Sequence, residues 1–161
     1  MVMTVAAANY LMQFSMGPWL TWGTPVIAVT FLLTELTNRF FGVRVARKTV
    51  VVGFIIAFAA SACCAPWRIA VASAFAFLTA QLTDILVFQR LRRARWWLAP
   101  LAASTVASAL DTVVFFSLAF AGTGVVWWQL GTGDFACKVA LDICMLLPFR
   151  AVIGQVTALR A

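Results

Sequence analysis

Apolar residues run along most of this chain without the polar return that a soluble helix or strand shows. Six apolar stretches stand out: residues 2–15, 24–41, 46–63, 68–89, 97–121 and 133–153. A helix needs about 20 mostly apolar residues to cross a hydrocarbon core about 30 Å thick. The last five stretches approach or exceed that length. The first reaches only about 21 Å. Either it continues toward Pro18 or the true start of the chain lies upstream. No basic residue precedes it, so it does not read as a cleaved signal peptide. The pattern predicts an all-α membrane protein, a six-transmembrane-helix bundle forming one domain over residues 1–161.

Residues at the ends of the stretches agree with this division. Trp19, Trp22, Trp67, Trp96, Trp97, Trp127 and Trp128 all fall at predicted span ends. An indole is most stable there, with its apolar body in lipid and its N–H in the headgroup layer. Pro25, Pro66 and Pro100 lie near span starts, where a missing N–H costs little. Pro148 alone falls inside a span, and it is expected to kink the last helix.

Composition strengthens the membrane reading. The chain is 64% hydrophobic and only 11% charged, with a mean hydropathy of +1.00. A soluble domain carries about 25% charged residues. The net charge of +7 is concentrated in clusters. Arg44, Arg47 and Lys48 follow the second span, Arg90, Arg92, Arg93 and Arg95 follow the fourth, and Arg160 lies in the tail. The opposite loops hold only Arg68. This alternation places both termini in the cytoplasm. It offers no aromatic-basic groove for nucleic acid.

Candidate chemistry lies inside the spans. All five acidic residues, Glu35, Asp84, Asp111, Asp134 and Asp142, fall in or at the edge of apolar stretches. A charge at the centre of a spanning helix costs about 2.5–3.5 kcal/mol on the insertion scale. Such residues must therefore face the bundle interior. Their spacing allows them to converge: Glu35, Asn38 and Arg39 share one helix face, as do Gln81 and Asp84. Ser104, Ser108 and Asp111 form another stripe, and Asp134, Lys138 and Asp142 recur every four residues. The simpler alternative is local neutralisation, Lys138 by Asp142 or Arg39 by Glu35, in a bundle that binds nothing. A faint repeat, "ELTN" at 35–38 and "QLTD" at 81–84, lies in two spans expected to run the same way. Repeats of this kind accompany transporter sites.

A pocket of carboxylates and amides suits a planar heterocycle bearing N–H and NH₂ groups, because charge-assisted hydrogen bonds are strong at low dielectric. Phe31, Phe77, Phe88 and Phe115 are candidates to stack on such a ligand. Catalysis finds no support. The chain has no His, and hence no Ser-His or Cys-His pair and no HExxH, and it has no Gly-rich phosphate loop. Asp84 and Asp111 could form an aspartyl pair on paper, but no flanking sequence supports that chemistry. Cys63, Cys64, Cys137 and Cys144 form no CxxC and read as small buried hydrophobes. No metal or cofactor is expected.

The segments "VTFLLTELTNRFFGVRVARK", "AQLTDILVFQRLRR", "WWLAPLAASTVASALDTVVFFSLAF" and "GDFACKVALDICMLLPFR" together resemble the queuosine precursor transporter family, also called the vitamin uptake transporter family. The resemblance implies a six-helix importer of 7-deazaguanine queuosine precursors, such as preQ0 and preQ1, in the bacterial inner membrane. By position it singles out Glu35 and Asn38 with Gly42 after them, Gln81 and Asp84, Ser108 and Asp111, and Lys138. Glu35 stands where the family often has Asp, and the extra methylene could reshape a pocket. Asp142 joins the substrate-binding set from the stripe, as an acid able to carry a proton. The expected partners are a deazapurine and the lipid bilayer; a homo-oligomer or an energising partner is left open. Two alternatives remain. One is a substrate-binding subunit for another vitamin-like compound, docked on a separate ATP-driven module. The other is a structural or assembly factor, in which exchanging Lys138 and Asp142 would be harmless.

Overall fold

The computed structural model describes residues 23–64, 66–122, 124 and 126–160. Among these residues there are five helices and no strand: α1 (Gly23–Phe41), α2 (Val43–Cys64), α3 (Trp67–Leu91), α4 (Leu98–Phe120) and α5 (Trp127–Arg160). They match the second to sixth expected spans. The first expected span, 2–15, with Pro18, Trp19 and Trp22, lies outside the described residues. α3 and α4 are each long and apolar enough to cross a membrane. The polar residues of α1 and α5 lower the apolarity of those helices. α5 differs most from expectation. Its 34 residues run unbroken through Pro148 and span about 51 Å, more than the hydrocarbon core.

One residue separates α1 from α2. Gly42 adopts φ +86°, a left-handed conformation that costs glycine little and other residues more. Its N–H bonds the Asn38 carbonyl at 3.2 Å and its own carbonyl accepts from the Ala46 N–H at 3.1 Å, so the glycine is bonded to both helices at the turn. Pro66 and Pro100 sit just before α3 and in the first turn of α4, as their missing N–H allows.

Small side chains set how closely the helices approach. α3 buries Ala70, Ala72, Ala74, Ala76 and Ala80, and α4 buries Ala99, Ala103 and Ala107 at four-residue spacing. Lipid tails are as apolar as leucine, so helices in a bilayer associate through close packing of this kind. α4 packs most extensively on α3, and α1 touches all four other helices. Phe31 lies against Ala80 and Ala107. Leu32, Phe88, Ala99, Ala103 and Phe149 form a second cluster, in which Phe88 and Phe149 meet edge to face at 6.1 Å. Ala46 and Val50 pack α2 on Ile85 of α3.

The outer faces are apolar too, with Ile55, Val113, Ile143 and Leu147 exposed. Cys63 and Cys144 are also exposed, which corrects the expectation that they are buried. In a bilayer the outside of a helix is as suitable for a small apolar side chain as the inside, so apolar character did not fix the face.

Contacts at the helix ends sort the charges. The Arg39 guanidinium donates to the Arg92 carbonyl at 3.4 Å and that of Arg92 to the Arg39 carbonyl at 2.7 Å. Arg150 lies 5.0 Å over the Trp96 ring. The clusters 44–48 and 90–95 therefore share one end of the bundle. Arg68 donates to the carbonyls of Leu118 and Ala121 at the other end.

Ala107 is fully buried against Phe31 and Ala80. Ala107→Leu should therefore overpack the bundle by about 1–3 kcal/mol and lower the melting temperature in detergent. Val106→Leu, on the exposed face of the same helix, should leave it unchanged.

Candidate functional site

The polar stripes meet inside the bundle as two neighbouring groups. The first joins α1 to α3. Thr34 Oγ1 donates to Gln81 Oε1 at 2.7 Å, and Asn38 Nδ2 to the Ile85 carbonyl at 3.2 Å. Contacts 34 to 81 and 38 to 85 advance together, so α1 and α3 run in the same direction and the "ELTN" and "QLTD" segments lie side by side. Glu35, Asn38, Gln81 and Asp84 are all at most 4% exposed.

These side chains keep unused capacity. Glu35 Oε1, Asn38 Oδ1, Gln81 Nε2 and both Asp84 carboxylate oxygens have no hydrogen-bond partner among the described residues. A buried polar atom without a partner costs about 1–3 kcal/mol, and a charged one more. Five such atoms on two facing helices are far more than close packing requires.

The second group joins α4 to α5. Lys138 Nζ bonds Asp111 Oδ2 at 2.8 Å, Thr112 Oγ1 at 3.3 Å and, more closely, Asp134 Oδ2. Thr112 Oγ1 donates to Asp134 Oδ2 at 3.0 Å. Gly131 permits this approach, since a Cβ there would come to 3.3 Å from Thr112 Cγ2. One turn further along α5, Asp142 accepts from Ser108 Oγ at 3.1 Å. Asp142 links the groups. With Glu35 and Ser104 it lines a cavity between α1, α4 and α5, whose other walls include Phe31 and Leu32. The cavity has room for about one water molecule, about 10 Å³.

Of the eight residues singled out from the sequence, Glu35, Asn38, Gln81 and Asp84 come together in the first group. Asp111 and Lys138 lie in the second, and Ser108 with Asp142 lies between. Seven are buried, whereas the Asp111 side chain is 15% exposed. Neither local neutralisation occurs: Lys138 pairs with Asp111 and Asp134, and Arg39 reaches the Arg92 backbone. Of the four candidate stacking rings only Phe31 lines the cavity. Phe88 packs on Phe149, Phe115 on Phe116, and Phe77 beside the contact of α2 with α3. Thr34 and Thr112 were missed. Thr34 lies four residues before Asn38 and Thr112 four residues after Ser108, so the spacing that marked the other residues could have found them.

The family described as "Putative vitamin uptake transporter" matches residues 63–153. The chain belongs to the vitamin uptake transporter family. Two curated relatives match nearly its whole length. The "Probable queuosine precursor transporter" of Haemophilus influenzae is 32% identical, with 96% of this chain and 83% of the relative covered. The "Queuosine precursor transporter" of Escherichia coli strain K12 is 31% identical, with 94% and 82% covered. No solved structure matches. Membership places the chain in a family of membrane transporters, and its relatives are named for transport of a queuosine precursor.

Removing Lys138 alone would strand two acids. Lys138→Met should destabilise the protein by about 3–5 kcal/mol, the usual cost of breaking a buried pair. Adding Asp111→Asn and Asp134→Asn should recover most of that loss. Thermal melting of the purified single and triple variants checks both outcomes.

Proposed function

We propose that this protein imports a 7-deazaguanine queuosine precursor, of the preQ0 and preQ1 class, through the polar group between α1, α3 and α5. It works as a six-span protein of the bacterial inner membrane with both termini in the cytoplasm, where its basic end would lie.

One observation carries the substrate class. The unpartnered Gln81 amide donor and the unpartnered acceptors of Glu35 and Asp84 belong to the facing segments of α1 and α3 that the Thr34–Gln81 bond joins. A guanine-type edge presents one carbonyl acceptor followed by two N–H donors. Gln81 Nε2 suits the carbonyl, and the carboxylates suit the ring N–H and the exocyclic NH₂. Each charge-assisted bond of this kind contributes about 1.5–3 kcal/mol. Phe31, on the cavity wall, is positioned to cover the ring face. The relatives' names point to the same substrate class. They are themselves named transporters, which ranks this reading above a subunit docked on an ATP-driven module.

A ligand pocket of drug size measures about 300–1,000 Å³. The cavity here is far smaller, so the form described is closed, and substrate enters when α1 moves away from α4 and α5. The Lys138 ion-pair group lies toward the end of the bundle that holds Arg68. The Phe88–Phe149 contact and the Arg39–Arg92 exchange lie toward the basic end. Loosening either set would open the site to one side only.

In a strain unable to make the precursor, supplied preQ0 or preQ1 should restore queuosine to tRNA when this protein is expressed. Asp84→Asn or Gln81→Leu should weaken substrate binding about ten- to hundredfold. Queuosine at normal levels with either variant, at limiting precursor, would remove this pocket from the pathway. A substrate-dependent rise in melting temperature should accompany binding to the purified protein and would exclude a purely structural role.

A further inference from the structure

Two side-chain amides tie α1 to α3, and the two ties differ in kind. Asn38 Nδ2 donates to the Ile85 carbonyl at 3.2 Å. A backbone carbonyl can only accept, so the direction of that amide is fixed and Oδ1 is its free end. Gln81 instead meets a hydroxyl, which can give or receive a hydrogen bond. Thr34 Oγ1 lies 2.7 Å from Gln81 Oε1 and 3.0 Å from the Thr30 carbonyl, with one hydrogen to give. Given to Gln81 Oε1, that hydrogen leaves the amide Nε2 as the free end. Given to the Thr30 carbonyl, it makes the amide turn over, so that Nε2 donates to Thr34 and the oxygen becomes the free end. The first arrangement costs the Thr30 carbonyl little, because the helix already supplies it with the Thr34 backbone N–H. The second would add an acceptor to a group that already has four unpartnered ones, Glu35 Oε1, Asn38 Oδ1 and both Asp84 oxygens. Gln81 Nε2 is the one donor among these unpartnered atoms. Thr34 and Gln81 are at most 1% exposed, so bulk water does not reach the contact.

We infer that Thr34 is a positioning residue for substrate selection: its hydroxyl holds the Gln81 amide with Nε2 toward the substrate, so that the site takes a ring carbonyl there and rejects an amino group. The inference rests on the importer reading above. Gln81 meets the substrate, and Thr34 acts only through Gln81. With Nε2 presented, a carbonyl on the substrate accepts a hydrogen bond. An amino group in its place sets donor against donor where neither can turn to water. Buried donors left unpaired in this way weaken binding about ten- to hundredfold. Without the hydroxyl the amide is released, and it can present its oxygen to an amino group instead. The choice between an oxo and an amino substituent thus passes to one hydrogen, held by a residue one helix further from the ligand than the amide it directs.

The test measures, by calorimetry on the purified full chain, the affinity for preQ0 and for its analogue with an amino group in place of the ring carbonyl. The unaltered protein should favour preQ0. Part of that preference belongs to the ring N–H, which the analogue also lacks, so the deciding quantity is how the ratio of the two affinities changes on substitution. Thr34→Val keeps the side-chain shape, removes the hydroxyl and should lower the ratio about tenfold. Thr34→Ser keeps the hydroxyl and should hold the ratio within about twofold. Adding Thr34→Val to a Gln81→Leu protein should change the ratio no further, since the amide through which Thr34 acts is gone. An unchanged ratio in Thr34→Val, an equal fall in Thr34→Ser, or a full further fall in the Gln81→Leu background overturns the role of Thr34 and leaves the importer standing. Failure of the unaltered protein to bind preQ0 overturns the importer reading and this inference with it. If Thr34→Val does not fold, Thr34→Ala removes the same hydroxyl and the same outcomes decide.

Discussion

Five acidic side chains share this bundle, and among the described residues Lys138 is the only buried cation. A carboxylate removed from water must find a donor or a proton, because the low dielectric that strengthens a good hydrogen bond also raises the cost of an absent one. This imbalance organises the interior. Asp111 and Asp134 take the lysine, Asp142 takes a serine hydroxyl, and Glu35 Oε1 and both Asp84 oxygens are left without a donor among the described residues. The helices are held by alanines and the site by this shortage of positive charge. The two are largely separate sets of side chains, which adjoin where Asp84 follows Ala80 and Asp111 follows Ala107 by one turn.

That separation explains how the fold can keep a costly cluster. Alanine faces at four-residue spacing let α3 and α4 approach closely enough for dispersion to hold them in lipid. α1 then lies in contact with every other described helix, with its polar face directed inward. Thr34 and Asn38 spend one hydrogen bond each on α3, which fixes the register of the two helices. Asn38 Oδ1 and Gln81 Nε2 have no partner among the described residues. Binding groups on rigid helices, fixed by one bond and open at another, are arranged in advance for a ligand.

Much of this was legible in the sequence. Hydropathy gave the helices α1 to α5, with tryptophan and proline marking their ends, since lipid imposes the same length and interface rules on every span. Charged residues in hydrocarbon identified the inward faces, because no other location is tolerable. Helical spacing could not say which stripe meets which. The partners of Lys138 depend on how α4 and α5 pack, where Gly131 gives close room beside Thr112. The exposed cysteines were illegible for the opposite reason: both faces of a membrane helix accept them. The length of α5 was underestimated because it continues past the apolar stretch at both ends.

Gly42 gives the first two described helices no slack. A single residue joins them, bonded on both its N–H and its carbonyl. The end of α1 is thereby held directly against the start of α2, with no loop to separate them. The link from α4 at Phe120 to α5 at Trp127 is six residues long. α5 is thus joined to α4 by a length of chain that α1 and α2 do not have between them, and the two helix pairs are unequally tethered.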